Sequence, residues 1–218
     1  MMKAIAYQHN LPTDNPSALQ DIELEMPAAK GRDLLVGVKA ISVNPVDFKI
    51  RQNVAPDAGQ WKVLGWDASG VVEAVGEEVT FFKPGDKVWY AGDLTRSGSN
   101  AEYQLVDERI VGRMPECLTF GEAAALPLTT ITAWEMLFDR LRVPSASHDG
   151  RKSVLIIGAA GGVGSIMVQL LRALTGVTII GTAARETSVT WLKGLGAHHV
   201  INHRVALSEG MQAIGIPE

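Results

Sequence analysis

Between Ser153 and Leu174 the chain reads SVLIIGAAGGVGSIMVQLLRAL: a short apolar run, a cluster of glycines, then an apolar repeat of helical period. A glycine cluster at such a junction has a chemical use. Backbone can approach a phosphate closely only where no side chain intervenes. At a strand-to-helix turn the free N–H groups of the first helical turn and the positive end of the helix dipole stabilise a pyrophosphate without any lysine. Ala159, Gly161 and Gly164 occupy the three positions of the G-x-G-x-x-G dinucleotide fingerprint, alanine replacing the first glycine. Gly161 permits close backbone approach and Gly164 lets helix and strand pack tightly. A glycine-rich packing turn without a ligand is the alternative; the strand before and the helix after favour the binding turn.

The second candidate lies in IIGTAARETS, residues 179–188. An acid at the end of the second strand would hold a ribose 2′-hydroxyl, whereas a neutral residue with a nearby arginine accepts a 2′-phosphate. Ala183 stands where the acid is expected and Arg185 follows it, which favours NADP. Glu186 competes if its loop brings the carboxylate to the ribose, and a solvated surface charge is the bland reading of Arg185.

These residues need a frame. SVLIIG reads as a fully buried strand of a parallel sheet. Val163, Ile166, Met167, Leu170, Leu171 and Leu174 recur on one helical face, with Gly176 expected to end the helix. VTIIGTAA, ETSVTWLKGL and HHVIN continue as strand, helix and strand, an alternation that implies a parallel sheet with right-handed crossovers. RVALSEGMQAIGIPE reads as a helix and a turn toward a fourth strand, so one βαβαβ half of a dinucleotide fold is complete and the second is missing. The expectation is a piece of a longer enzyme, inactive alone and aggregation-prone at the edge of its third strand. Upstream, KAIAY, DLLVGVKAISV, ASGVVEAVG, DKVWYAG and AEYQLV, separated by turns such as KPGDKV, read as an antiparallel β domain. TFGEAAALPLTTITAWEMLFDRL reads as helices interrupted near Pro127, opened by a Thr119–Glu122 capping box. RVPSASHDGRKS, residues 142–153, is the connector. The expected domains are 1–125, a helical connection over 126–150, and 151–218.

Composition excludes several classes. The 24 acidic and 20 basic residues are interspersed and sum to a formal charge of −4, leaving no electrostatic footprint for nucleic acid. No apolar run approaches the roughly 20 residues of a membrane span, and MMKAIAYQHNL lacks the form of a signal peptide, so a cytoplasmic address is expected. Cys117 is the one cysteine, which excludes an internal disulfide and a multi-cysteine zinc site.

The segments VNPVDFKIR (43–51), LGWDASGVVEAVG (64–76), FKPGDKV (82–88), AEYQLV (101–106), AAALPLTTITAWEML (123–137), GAAGGVG (158–164) and LGAHHVIN (195–202) stand in a familiar order. Over nearly all of residues 1–205 the chain resembles the medium-chain dehydrogenase/reductase superfamily, in its zinc-free quinone oxidoreductase (zeta-crystallin-like) branch. The resemblance implies an α/β protein. It has an N-terminal chaperonin-10-like (GroES-like) β-barrel domain and a Rossmann domain whose doubly wound parallel sheet is truncated after its first half. It also implies NADPH as hydride donor and a cleft between the domains.

The superfamily's zinc branch holds its metal with a cysteine, a histidine and a second cysteine; the corresponding positions here are Asn44, Trp66 and Leu128. None offers the thiolate, imidazole or carboxylate that zinc takes, and Asp47 and Asp67 nearby do not restore the set. His9 and His148 fall in polar loops, and His198 and His199, adjacent on a strand, point to opposite faces. No metal is therefore expected. The carbonyl must then be polarised by hydrogen bonds, which suits quinones and α,β-unsaturated carbonyls, whose acquired charge spreads onto oxygen. Asn44 resembles the family's amide near nicotinamide and substrate, and Thr132 its threonine beside the nicotinamide; these are the catalytic candidates. Ala160, Gly161, Gly162, Val163, Gly164, Thr182, Arg185 and His203 join Asn44 and Thr132 as cofactor contacts, His203 standing where the family often has an aromatic residue near the adenosine phosphate. Asn44 also reads as a turn cap before Pro45. Asp47 and Arg51, four apart, would pair on one face if DFKIR is helical. The family also implies a homodimer at full length. Two other functions stay open: an NAD(H)-linked alcohol dehydrogenase with a rebuilt metal site, and a non-enzymatic nucleotide-binding protein.

Overall fold

The computed structural model describes residues 1–144 and 152–216. The chain divides into two compact units, Met1–Leu128 and the residues from Thr129 onward. Most of the 142–153 connector, with His148, lies outside the described residues.

The first unit contains β1 (Met2–Tyr7), β2 (Gln20–Leu24), β3 (Asp33–Ser42), α1 (Pro45–Asn53), β4 (Lys62–Val63), β5 (Asp67–Val75), β6 (Lys87–Ala91), β7 (Tyr103–Asp107), β8 (Val111–Arg113) and α2 (Phe120–Ala124). One sheet runs β2-β1-β4 and the other β7-β3-β5-β6-β8, with every pairing antiparallel. Strand β3 is the spine of the larger sheet, because its alternating Leu34, Val36 and Val38 feed the core formed with Ala68, Val72, Val88, Tyr90 and Val106. Strands β2, β4 and β8 have no counterpart among the apolar runs of the sequence; each is short and gains its strand character from one neighbour. The Thr119–Glu122 capping box opens α2 as its sequence implies.

Helix α3 (Pro127–Trp134) begins at the proline that interrupts the helical stretch and continues into a π-helical segment, Glu135–Arg140. The second unit then runs β9 (Ser153–Ile156), α4 (Gly162–Leu174), β10 (Thr178–Thr182), α5 (Glu186–Leu195), β11 (His199–Ile201) and α6 (Leu207–Ala213). The sheet is parallel in the order β11-β10-β9, so β9 and β11 each pair on one side only among the described residues. No strand follows α6 there.

Helix α4 buries Met167, Val168 and Leu171, while Leu174 is exposed, so its buried face turns slightly from the expected one. Its end also differs from expectation. Gly176 does not adopt a left-handed conformation; Thr175 is extended, and both its N–H and its hydroxyl donate to the Leu171 carbonyl. The left-handed glycine cap occurs instead on α5, at Gly196 (φ 105°). Helix packing against the sheet encloses Leu137, Ile156, Val168, Leu171, Ile179 and Leu192 in one core. No helix of the described residues is long and apolar enough to cross a membrane.

Candidate functional site

In the second unit the turn from β9 to α4 is closed by the Gly161 N–H donating to the Gly158 carbonyl at 3.0 Å. Gly158 takes the positive φ of this turn (68°), a role the fingerprint reading gave to no residue. Ala159 is fully buried behind it. Gly164 is there because α4 and the turn meet backbone to backbone: a Cβ on it would lie 2.6 Å from the Ala159 Cα and carbonyl oxygen. Gly162, Val163 and Gly164 are the first residues of α4, so their N–H groups have no intrahelical acceptor. Across the sheet, Thr182 Oγ1 accepts the Gly158 N–H at 2.9 Å and ties the glycine turn to the end of β10.

Beside this turn lies a cavity of about 460 Å³. Ala160, Gly161, Thr182, Arg185 and His203, all candidates from sequence, line it together with Gly158, Ala183, Ala184, Ser188 and Arg204. Among the described residues its lining includes no carboxylate: Glu186, at the first turn of α5, stays outside. Arg185 is the N-cap residue of α5 and its side chain makes no hydrogen bond or ion pair among the described residues. Arg204 and Ser188 were not singled out by sequence; Arg204 directly follows His203 after the third strand, and that adjacency was the available signal. Thr132 lies on α3 and does not line the cavity. It is one helical turn from Thr129, whose Cγ2 would stand 3.2 Å from a Cβ on Gly162, so α3 runs close to the start of α4.

Asn44 sits in the first unit, 8% exposed, as N-cap of α1. Its cap and site readings coexist. The Asp47 carboxylate accepts the Asn44 N–H at 2.7 Å, while the Asn44 amide Nδ2 donates to Asp67 Oδ2 at 2.7 Å. Asp67 is fully buried and also accepts Ser42 Oγ at 3.1 Å and the Leu128 N–H at 2.7 Å. Burial pushes its carboxyl above the ordinary value despite the hydrogen bonds from Asn44, Leu128 and Ser42, and the Asp47 charge adds to the push. The expected Asp47–Arg51 pair is not formed. Asp47 turns to the helix N-terminus, and Arg51 Nη1 donates to the Leu11 carbonyl at 2.5 Å.

Residues 30–117 match the alcohol dehydrogenase GroES-like domain. The chain is 44% identical over 217 residues to a zinc-type alcohol dehydrogenase-like protein of Staphylococcus aureus, covering 99% of this chain and 64% of that one. Among solved structures, a putative zinc-dependent alcohol dehydrogenase of Rhizobium etli is 54% identical with a TM-score of 0.94, over 99% of this chain and 63% of that one. The Escherichia coli quinone oxidoreductase, solved with NADPH, is 28% identical with a TM-score of 0.77, over 98% of this chain and 62% of its own. This chain thus spans less than two thirds of these relatives' length.

Two of those names invoke zinc, and the residues here do not fit it. The Trp66 Nε1–H is a hydrogen-bond donor, buried and without a partner among the described residues; Leu128 has no side-chain atom that could bind a metal; the Asn44 amide is engaged by Asp67. Among the described residues no three histidine, cysteine or acidic side chains cluster as a metal site. A dinucleotide does fit: the first turn of α4, whose N–H groups have no intrahelical acceptor, the glycines that hold it and a cavity without an acid among the described residues are suited to an anionic ligand.

Proposed function

Because the chain belongs to the medium-chain dehydrogenase/reductase superfamily, we propose that it serves metal-free, NADPH-dependent reduction of quinones or α,β-unsaturated carbonyls. The observation that carries the cofactor choice is the cavity beside the glycine turn, where Arg185 is present and, among the described residues, no acid is. A carboxylate there would favour a ribose 2′-hydroxyl and repel a 2′-phosphate. Residues Gly161 to Gly164 would hold the pyrophosphate, Thr182 the turn behind it and Arg185 the 2′-phosphate, with His203 near the adenosine. When bound, NADPH supplies the hydride. The chain's part in the chemistry is assigned to Asn44 and Thr132, the first as a buried amide donor oriented by Asp67. The lack of zinc-binding groups at positions 44, 66 and 128 supports the metal-free part of the reading. A cytoplasmic setting belongs to the same proposal, and so does a dimeric assembly, which rests on the resemblance.

The test is calorimetric titration of the chain with NADPH and NADH, for wild type and Arg185→Ala. NADPH should bind at least tenfold more tightly, and the variant should bring the two affinities together. Equal affinities in the wild type, or an unchanged preference in the variant, would overturn the cofactor assignment. A tightly bound equivalent of zinc in the purified protein would overturn the metal-free one.

A further inference from the structure

We propose that Arg204 is a second specificity-determining residue of the nucleotide site, closing with Arg185 around the 2′-phosphate; the inference rests on the NADPH reading above. A phosphate monoester carries a charge of about −1.5 to −2 at neutral pH, so one guanidinium leaves much of it uncompensated. The cavity has two arginines to offer, on two different turns. Arg185 comes from the turn between β10 and α5, and Arg204 from the turn after β11, and both line the same space.

Neither side chain is committed elsewhere. Arg32, Arg96, Arg109 and Arg113 are held in ion pairs, Arg51 donates to a carbonyl and Arg172 contacts His198. The Arg185 and Arg204 side chains have no hydrogen bond or ion pair among the described residues. The backbone under Arg204 is nonetheless fixed, because Asn202 Oδ1 accepts its N–H at 2.9 Å. Ser188, on the first turn of α5, adds a hydroxyl to the same lining. Two planar cations lining one cavity, with no carboxylate there among the described residues, would repel each other with nothing bound, and a dianion between them removes that repulsion.

The experiment titrates wild type, Arg185→Ala, Arg204→Ala, Arg204→Lys and the double alanine variant with NADPH, NADH, adenosine 2′,5′-bisphosphate and 5′-AMP. Arg204→Ala should weaken NADPH and the bisphosphate roughly tenfold to a hundredfold and leave NADH and 5′-AMP within about twofold, which also shows that the variant is folded. Arg204→Lys should recover part of the loss, since lysine keeps the charge and not the fork. The double variant should fall short of the product of the single effects, because both arginines meet one phosphate. A preference lost on Arg185→Ala but untouched by Arg204→Ala overturns the role of Arg204 and leaves the NADPH reading standing. Equal loss of all four ligands on Arg204→Ala assigns it a structural role and also overturns the proposal. No NADPH preference in the wild type, or no binding of any ligand, overturns both.

Discussion

Asp67 takes three donors on two oxygens: Asn44 and Ser42 on Oδ2 and the Leu128 N–H on Oδ1. An amide in its place keeps one acceptor oxygen and turns an NH₂ toward a donor. Asp67→Asn should therefore destabilise the chain by about 1–3 kcal/mol in urea unfolding, the cost of a buried polar group left unsatisfied. The deficit should also depend on pH. Folding raises the Asp67 carboxyl above its unfolded value, so between the two values the folded state binds more protons than the unfolded state. That contribution is fully present below the unfolded value, near 3.9, and is lost as pH rises through the folded one. The gap between wild type and Asp67→Asn should widen as the solution is acidified toward pH 4. A gap that narrows on acidification would mean that the three hydrogen bonds outweigh burial and hold the carboxyl low.

At the scale of elements, the glycine turn joins β9 to α4 with almost no spare space, and its glycines are not equivalent. Gly164→Ala would drive a Cβ into the Ala159 backbone at 2.6 Å, where nothing flexible can yield. It should cost about 1–3 kcal/mol, as overpacking does, and displace the first turn of α4 enough to weaken nucleotide binding. Gly162→Ala meets only the Thr129 methyl at 3.2 Å, and alanine is the better helix former, so its stability should change by less than about 1 kcal/mol. Thermal melts of the two variants decide this; a Gly162→Ala as costly as Gly164→Ala would refute the packing account. The turn was legible in sequence because strand, glycines and amphipathic helix follow one another over twenty-odd residues, a local pattern. The α5 span matched for the same reason, as did the capping box of α2. Strands β2, β4 and β8 were not legible: QDIEL, KV and VGR contain no apolar run, and distant partners make them strands. The end of α4 departs from its sequence signal because Gly176 gives the usual stop, while Thr175 satisfies Leu171 with its own hydroxyl. Arg204 and the Asp67 hub are not legible in sequence for a similar reason, since both depend on which turns the fold brings to one place.

Over the whole molecule, the ionisable groups pull stability in opposed directions with pH, and burial decides which pull dominates. Asp47 and Asp67 are raised, chiefly by burial, and favour the folded state at low pH. Asp107 is lowered to about 2 by the side-chain and backbone hydrogen bonds from Arg109, and Glu77, Asp93 and Glu122 are lowered by backbone N–H groups. Most of these are exposed and therefore screened. Glu108 differs, since its side chain has no exposed surface. Burial alone would raise its carboxyl, but the Phe81 and Thr80 N–H groups and Arg32 outweigh burial and hold it low. A lowered carboxyl gives stability that is present above the unfolded value and is lost as pH falls through the folded one. His198, lowered by burial and by Arg172, adds a smaller loss that begins below about pH 6.5, where its unfolded form starts to bind protons. The melting temperature should therefore be level near pH 7–8, sag slightly below about pH 6.5 and fall steeply below about pH 4.5, where the unfolded glutamates and aspartates protonate. Glu108→Gln should melt lower than wild type at pH 7 and have a shallower acid limb, because one of the lowered carboxyls, the buried one, no longer titrates. Circular-dichroism melts from pH 8 to 3 on both proteins measure this. A wild-type melting temperature that climbs below pH 4.5 would show that the raised pair, Asp47 and Asp67, governs acid stability instead.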